Sequence, residues 1–191
     1  MDITGQDAYN RFLSGDDTAF DEILDLYHNS LIFFICGFVH NVTVAEDLAA
    51  DTFAELILHP HRYNFSVTLK TYIFMIGRSR AIDYLRHNSK LNVISEAYDY
   101  TQEPDYHLLE DDIILDEQKK LLHDAVMRLK DDYRTAVHLV YFEEMSCEQA
   151  AKIMKKNKKQ IENLLYRAKN ALRKNLRKDG EHFCKTEKNS K

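Results

Sequence analysis

The chain has 191 residues, 45% of them apolar, and carries 26 Lys and Arg against 31 Asp and Glu for a formal net charge of -5. That is enough apolar mass to bury the core of one ordinary domain or two small ones, which excludes a disordered polar chain. Two prolines and five glycines among plentiful Leu, Ala, Lys, Glu and Asp exclude a turn-rich β sandwich and point to an all-α fold.

The N-terminus MDITGQDAYN lacks the basic-then-apolar layout of a signal peptide. The longest apolar run, LIFFICGFV, has nine residues, less than half of what a bilayer-spanning helix needs. A soluble, cytoplasmic protein is expected. Apolar residues then fall at Ile23, Leu24, Tyr27, Leu31, Phe34, Ile35 and Phe38, a spacing that lines one face of a helix from about residue 20 to His40 and Asn41. Thr43 followed three residues later by Glu46 reads as a capping box opening a second helix, AEDLAADTFAELIL, which stops before Pro60. RYNFSVT gives a short loop with two aromatic residues. LKTYIFMIGRSRAIDYLRH resumes the helical pattern through Leu69, Ile73, Ile76 and Leu85 and ends near Arg86.

Residues 96–117, EAYDYTQEPDYHLLEDDIILDE, hold nine acidic residues and no Lys or Arg. This composition break marks a flexible acidic linker over 88–110. Its 24 residues between Arg86 and Asp111 span about 25 to 30 Å as a coil. The segment is either a plain tether or an acidic strand that mimics nucleic acid or screens a basic surface. The chain thus reads as two small helical domains, 1–87 and 111–178, with a polar, aperiodic and disordered tail over 179–191.

The second block contains IILDEQKKLLHDAVMRL, then DDYRTAVHLVYFEE, then a pair of helices. Ser146 and Gln149 form a capping box that opens CEQAAKIM, and Asn157 is a good N-cap for KKQIENLLYRAKNALRKNL. A short helix, a tight turn and a longer helix make a helix-turn-helix, with Ile161, Leu165, Ala168 and Leu172 facing inward. Residues 152–178 carry eleven basic side chains and one acidic one, Glu162, so the remaining chain holds fifteen basic and thirty acidic. Net charge describes solubility, whereas this local concentration decides what the surface attracts; alone it also reads as a solvated face, but coupled to the helix-turn-helix spacing it points to DNA. Five phosphate contacts would give a slope of about -4 to -5 in log affinity against log salt.

The ordered motifs resemble those of bacterial extracytoplasmic-function (ECF) sigma factors. SCEQAAKIMKKNKKQIENLLYRAK is similar to the family's promoter-binding C-terminal pattern S-x-x-E-I-A-x-I-L-x-x-x-x-x-T-V-K-S-R-L-x-R-A-R. AEDLAADTF resembles the core-polymerase motif A-E-D-L-x-Q-E-T-F, and TYIFMIGRSRAIDYLR resembles W-L-x-x-I-A-R-N-x-A-I-D-x-L-R. The resemblance implies two partners, core RNA polymerase (its β′ and β subunits) and promoter DNA, with an anti-sigma factor as a sequestering third and no stable homo-oligomer required. It places Asp47, Leu48, Asp51 and Phe53 on the face that grips the polymerase, although Glu46, Asp47 and Asp51 also read as first-turn carboxylates favoured by the helix dipole. Ala50 stands where the family usually has Gln.

For melted minus-ten DNA, the resemblance implies base capture by Tyr63, Asn64 and Phe65, with Phe65 either a base platform or a core plug. Arg62, Lys70, Arg78, Arg80 and Arg86 are cations for the strand, and Tyr72 stands where Trp is common. Unstacking a base costs a few kcal/mol and stacking on an aromatic ring returns about 1 to 3 kcal/mol, so such a loop can offset melting without ATP. Asp83 fits an Arg partner better than phosphate. For the minus-thirty-five duplex, Lys158, Lys159, Gln160, Glu162, Asn163, Tyr166 and Arg167 lie on the exposed start of the recognition helix. Asn163 or Gln160 suits adenine and Glu162 suits cytosine. Leu164, Lys155 and Lys130 replace the family's Arg, turn Gly and Pro. No HExxH, paired Cys or phosphate-binding glycine loop accompanies His59 and His61, so no metal, cofactor or catalysis is expected. The alternative function is a helix-turn-helix regulator that acts without polymerase and dimerises through the first block; AEDLAADTF and RYNFSVT would then have no purpose.

Overall fold

The computed structural model describes the backbone of residues 3–92, 122 and 125–186 and the side chains of 5–89, 122 and 125–176. Most of the acidic linker falls outside them. The chain divides into two compact units, one within Met1–Glu110 and one from Asp111 onward, the short stretch Lys152–Lys155 excepted. Among the described residues all regular structure is helical.

Among its described residues the first unit has four α-helices: α1 (Ile3–Leu13), α2 (Thr18–Val39), α3 (Val42–Leu58) and α4 (Leu69–Asn92), with a 3-10 turn at Pro60–Arg62. Sequence periodicity did not reveal α1. It ends in a Schellman arrangement in which Gly15, at φ +98°, donates to the Phe12 carbonyl and Asp16 donates to the Arg11 carbonyl. Tyr9 is fully buried and donates through its hydroxyl to the Leu56 carbonyl at 3.1 Å. Gly5 lets α1 approach α2 closely, since a Cβ there would fall 1.8 Å from the Tyr27 hydroxyl oxygen.

α2 buries Ile23, Tyr27, Leu31, Phe34 and Ile35, the expected face, together with Ile32 and Cys36 beyond it, because α1, α3 and α4 all pack against it. Its length and mean hydropathy of 1.3 also meet the requirements of a membrane span, which the nine-residue run alone did not. The difference arises because the helix starts at Thr18, before that run. Its many buried side chains are those of a core helix. The N-cap of α3 corrects the expected Thr43 capping box. Asn41, extended behind the left-handed His40, accepts from the Val44 amide at 3.0 Å, so the helix begins at Val42. Likewise α4 continues beyond Arg86 to Asn92, as 87–92 contain neither Gly nor Pro to stop it.

In the second unit, residues 122 and 125–127 are helical, Arg128 and Leu129 form a turn rather than the expected end of the 113–129 helix, and the rest of that helix lies outside the described residues. The expected helix over DDYRTAVHLVYFEE is divided into α5 (Asp131–Val137) and a π-helical turn (His138–Phe142), in which the Glu143 amide donates to the His138 carbonyl at 3.0 Å. α6 (Cys147–Met154) and α7 (Lys158–Thr186) follow. Leu129, Val137 and Ala168 form a buried cluster flanked by Tyr133, Leu165, Ala171 and Leu172. Arg134 closes its edge, donating to the Met127 carbonyl at 3.0 Å and to Asp131 at 2.9 Å. The tail expected to be disordered from 179 is helical through Thr186; a single Gly costs a helix about 1 kcal/mol relative to Ala, and Gly180 does not terminate it.

Burial, and then the neighbouring Tyr72, push the Tyr9 phenol up to about 12 from 10.0. A phenol that ionises less readily in the folded state contributes stability that is whole below the unfolded value and is lost as pH rises through the folded one. Replacing Tyr9 by Phe should cost about 1 kcal/mol at pH 7 through the orphaned Leu56 carbonyl. In urea unfolding, the gap between variant and wild type should narrow as pH climbs from 10.0 to about 12.

Candidate nucleic-acid interface

On α3, Asp47 and Asp51 are exposed and Leu48 is half-buried. Phe53 does not fit the role of an outward anchor. It is 4% exposed, set edge-on to Phe20 at 6.4 Å and stacked on His28 at 6.0 Å between ring centres. Its place on a buried face follows from helical spacing with Ala45, Ala49, Thr52 and Leu56. The exposed large apolar side chains of α3 are instead Ile57 and Leu58, which the motif did not single out.

The loop after α3 is tied down at both ends. Tyr63, expected to meet a base, is 3% exposed; its hydroxyl donates to the Val67 carbonyl at 2.8 Å and its ring stacks on Tyr72 with centres 5.0 Å apart. It is a pedestal. The ring of Phe65 rests 4.5 Å from that of Tyr63, with 43% of the residue exposed. Phe65 has φ +58°, a left-handed conformation that costs an L-residue about 1 to 2 kcal/mol. Asn64 accepts from the Ser66 amide at 3.1 Å, and Thr68 caps α4 by accepting from the Thr71 amide at 3.3 Å. These contacts over-determine the turn and hold the strained residue.

The cations expected to meet the strand already have partners. Arg62 pairs with Glu55, and Arg80 reaches both Glu55 at 3.3 Å and Asp51 at 3.4 Å. Arg86 pairs with Asp83 at 3.3 Å. Lys70 lies over the Phe74 ring, 5.9 Å from its centre, and Arg78 is half-buried. Glu55, absent from the sequence-based candidates, is the hub of this network. Burial opposes its ionisation, but the hydrogen bond from Arg62 and the charges of Arg62, His59 and Arg80 outweigh it and hold the carboxyl below its ordinary 4.5. Among the described residues no three His, Cys, Asp or Glu side chains are grouped to hold a metal ion.

The helix-turn-helix is fixed by two reciprocal capping boxes. Gln149 donates its amide to the Ser146 hydroxyl at 3.2 Å while accepting from the Ser146 amide at 2.8 Å. Asn157 and Gln160 repeat the pattern at 2.9 and 2.8 Å. Between them Lys155 has φ +53°, with Lys156 donating to the Ala151 carbonyl and Lys155 to the Lys152 carbonyl. This is a Schellman turn with Lys at the position that glycine prefers. Lys158 binds Glu148 at 2.7 Å, which raises Lys158 above its ordinary 10.5. Lys156 binds Asp132 at 3.2 Å.

Lys158, Lys159, Gln160, Glu162, Asn163, Tyr166 and Arg167 are all exposed, while Ile161 and Ala168 are fully buried and Leu165 and Leu172 half-buried. The structure thus brings the predicted readers to one end of α7. The side-chain oxygen of Gln160 is committed to the cap, so its amide cannot offer adenine the donor and acceptor together unless the cap opens.

Residues 23–91 match the Sigma-70 region 2 family and residues 119–172 the Sigma-70, region 4 family. The ECF RNA polymerase sigma factor SigM of Bacillus subtilis is 29% identical over 159 residues, covering 80% of this chain and 92% of that protein. The RNA polymerase sigma factor CarQ of Myxococcus xanthus is 30% identical over 139 residues, covering 73% of this chain and 78% of that protein. The chain belongs to the ECF sigma factors. This sigma factor therefore serves promoter-specific initiation of transcription. Its fold is also that of the sigma factor RpoE crystallised with the anti-sigma factor NepR from Bartonella quintana: TM-score 0.63, 24% identity, 83% of this chain and 96% of that one. CnrH in complex with the cytosolic domain of CnrY has a TM-score of 0.63 at 18% identity, covering 92% and 99%.

In this sigma factor, Asn157→Ala should remove the side-chain acceptor at the start of α7 and lower stability by about 1 kcal/mol. Chemical denaturation of the full chain reads that loss directly.

Proposed function

We propose that this sigma factor docks core RNA polymerase, including its β′ and β subunits, through the exposed face of α3 with Asp47, Asp51 and Leu48, and captures the melted minus-ten strand at the loop that follows. The observation that carries this reading is Phe65, an exposed ring held in a left-handed turn on the Tyr63–Tyr72 stack, with Asn64 at its side. An aromatic face in water at a strained position suits stacking by an unpaired base. Arg62, Arg80, Lys70, Arg78 and Arg86 supply cations for the strand, and the buried Tyr63 and half-buried Tyr72 support the platform. Phe53 serves the same face from beneath, by packing.

Duplex reading at the minus-thirty-five element falls to the N-terminal half of α7. Asn163, Glu162, Tyr166 and Arg167 are the base-edge candidates, with Lys158 and Lys159 for phosphates and Gln160 holding the helix start. The domain roles follow as 1–87 for polymerase and minus-ten contacts, 88–110 as linker, and 111–178 for the duplex. The protein acts in the cytoplasm by binding, with no catalysis of its own. An anti-sigma factor is its proposed inhibitor, supported by the RpoE–NepR and CnrH–CnrY complexes.

Core polymerase with this chain should start transcription from a cognate promoter that core alone ignores; failure with intact core rejects the reading. Phe65→Ala should lower open-complex formation about 5- to 150-fold, the equivalent of the about 1 to 3 kcal/mol of one stacked base, while leaving polymerase binding intact. Asp47→Lys with Asp51→Lys should abolish polymerase pull-down while the helical circular dichroism stays unchanged. Retained pull-down would remove α3 as the docking face.

A further inference from the structure

The carboxylates of α3 neutralise two of the cations proposed to meet the melted strand. Arg62 leads into the capture loop and Arg80 lies on α4, seven and 25 residues from Glu55, yet both converge on it. The Glu55 side chain is 18% exposed, that of Arg80 30%, and that of Asp51 64%. Asp51 is thus the accessible end of the network and Glu55 the sheltered one. A phosphate approaching Arg62 or Arg80 must displace a carboxylate and also faces its repulsion. Arg80 keeps one acid if the other moves, whereas Arg62 is held by Glu55 alone, so Glu55 is the residue on which both cations depend.

We propose that Glu55, with Asp51, is a counter-charge that masks Arg62 and Arg80 in the free factor and thereby determines that single-stranded DNA is held only weakly until polymerase engages Asp51. This inference rests on the strand-capture reading above. The consequence is reciprocal: polymerase binding at Asp51 leaves Arg80 one partner fewer, so polymerase and strand each bind better in the other's presence. Glu55 contributes by withholding charge, unlike Phe65, which touches the base.

The test measures binding of a single-stranded minus-ten oligonucleotide to the full-length protein, free and in complex with core polymerase, over a series of salt concentrations. Glu55→Gln should tighten binding by the free factor about two- to tenfold and steepen the slope of log affinity against log salt by about 0.7 for each arginine released. Asp51→Asn should act in the same direction by a smaller factor; its exposure makes it the variant to rely on should Glu55→Gln unfold. In the polymerase complex the Asp51→Asn gain should vanish. Unchanged or weaker binding with an unchanged slope, in either folded variant, overturns the masking role while strand capture stands if Phe65→Ala still weakens the complex. If wild type in the polymerase complex shows no Phe65-dependent strand binding, strand capture fails and masking fails with it.

Discussion

Burial of α2 by three other helices is the constraint on which the first unit's chemistry depends. Leu31 and Ile35 press into the space left by Gly77 on α4, where a Cβ would come within 2.8 Å of Leu31. Phe34 bridges Phe38 and Phe74 with ring centres 5.2 and 5.0 Å away. Each such side chain contributes about 1.5 to 3 kcal/mol of burial, far more than any exposed ion pair. The spacing between α3 and α4 is therefore set by apolar packing, and the acid–arginine contacts across it are read out from that spacing. Asp51, Glu55, Arg62 and Arg80 can specialise in partner chemistry because none is required to hold the helices together.

The second unit reaches the same end by a different route. Two of its helices, α5 and α6, have only seven and eight residues, so their terminal amides and carbonyls form a large share of the backbone groups to be satisfied. Two capping boxes and a Schellman turn meet that need within residues 146–160. The turn admits Lys155 in a left-handed conformation because the hydrogen bonds on either side outweigh the strain. A cation at this position adds to the charge beside the recognition helix, which a glycine would not.

Much of this was legible in the sequence wherever one local rule acted alone. The Ser146–Gln149 box, the Asn157 cap, the inward Ile161 and Ala168, and the end of α2 at His40 follow from nearest neighbours. The reading failed where two rules competed or distant residues met. Thr43 and Glu46 match a capping box, but Asn41 lies two residues earlier and, by accepting from the Val44 amide, starts the helix before Thr43. Phe53 and Tyr63 belong to functional motifs, yet an aromatic side chain on a helix or loop is drawn into whatever core adjoins it. Periodicity along a single segment does not reveal that α1 provides that core for Tyr63, with ring centres 5.6 Å from Tyr9. Glu55 was hidden for the same reason, since its partners are seven and 25 residues away. The π-helical turn at His138–Phe142 left no mark in a pattern that reads equally well as α-helix.

The two proposed DNA contacts differ in the force they use, and the order of events follows from that difference. The basic start of α7 acts through charge, which reaches about 8 to 10 Å at physiological salt and falls steeply as salt rises. Phe65 acts through stacking, which needs contact and an already unpaired base. Outside residues 152–178 the chain has thirty acidic and fifteen basic side chains, so its remaining surface disfavours nucleic acid wherever charge is not paired or locally reversed. Duplex is thus attracted first and from a distance, at one helix end. Single strand is accepted last, where an aromatic platform and cations meet it at contact range. On the proposed contacts, polymerase binding, which needs no phosphate contact from the factor, is the step that commits the protein to a promoter.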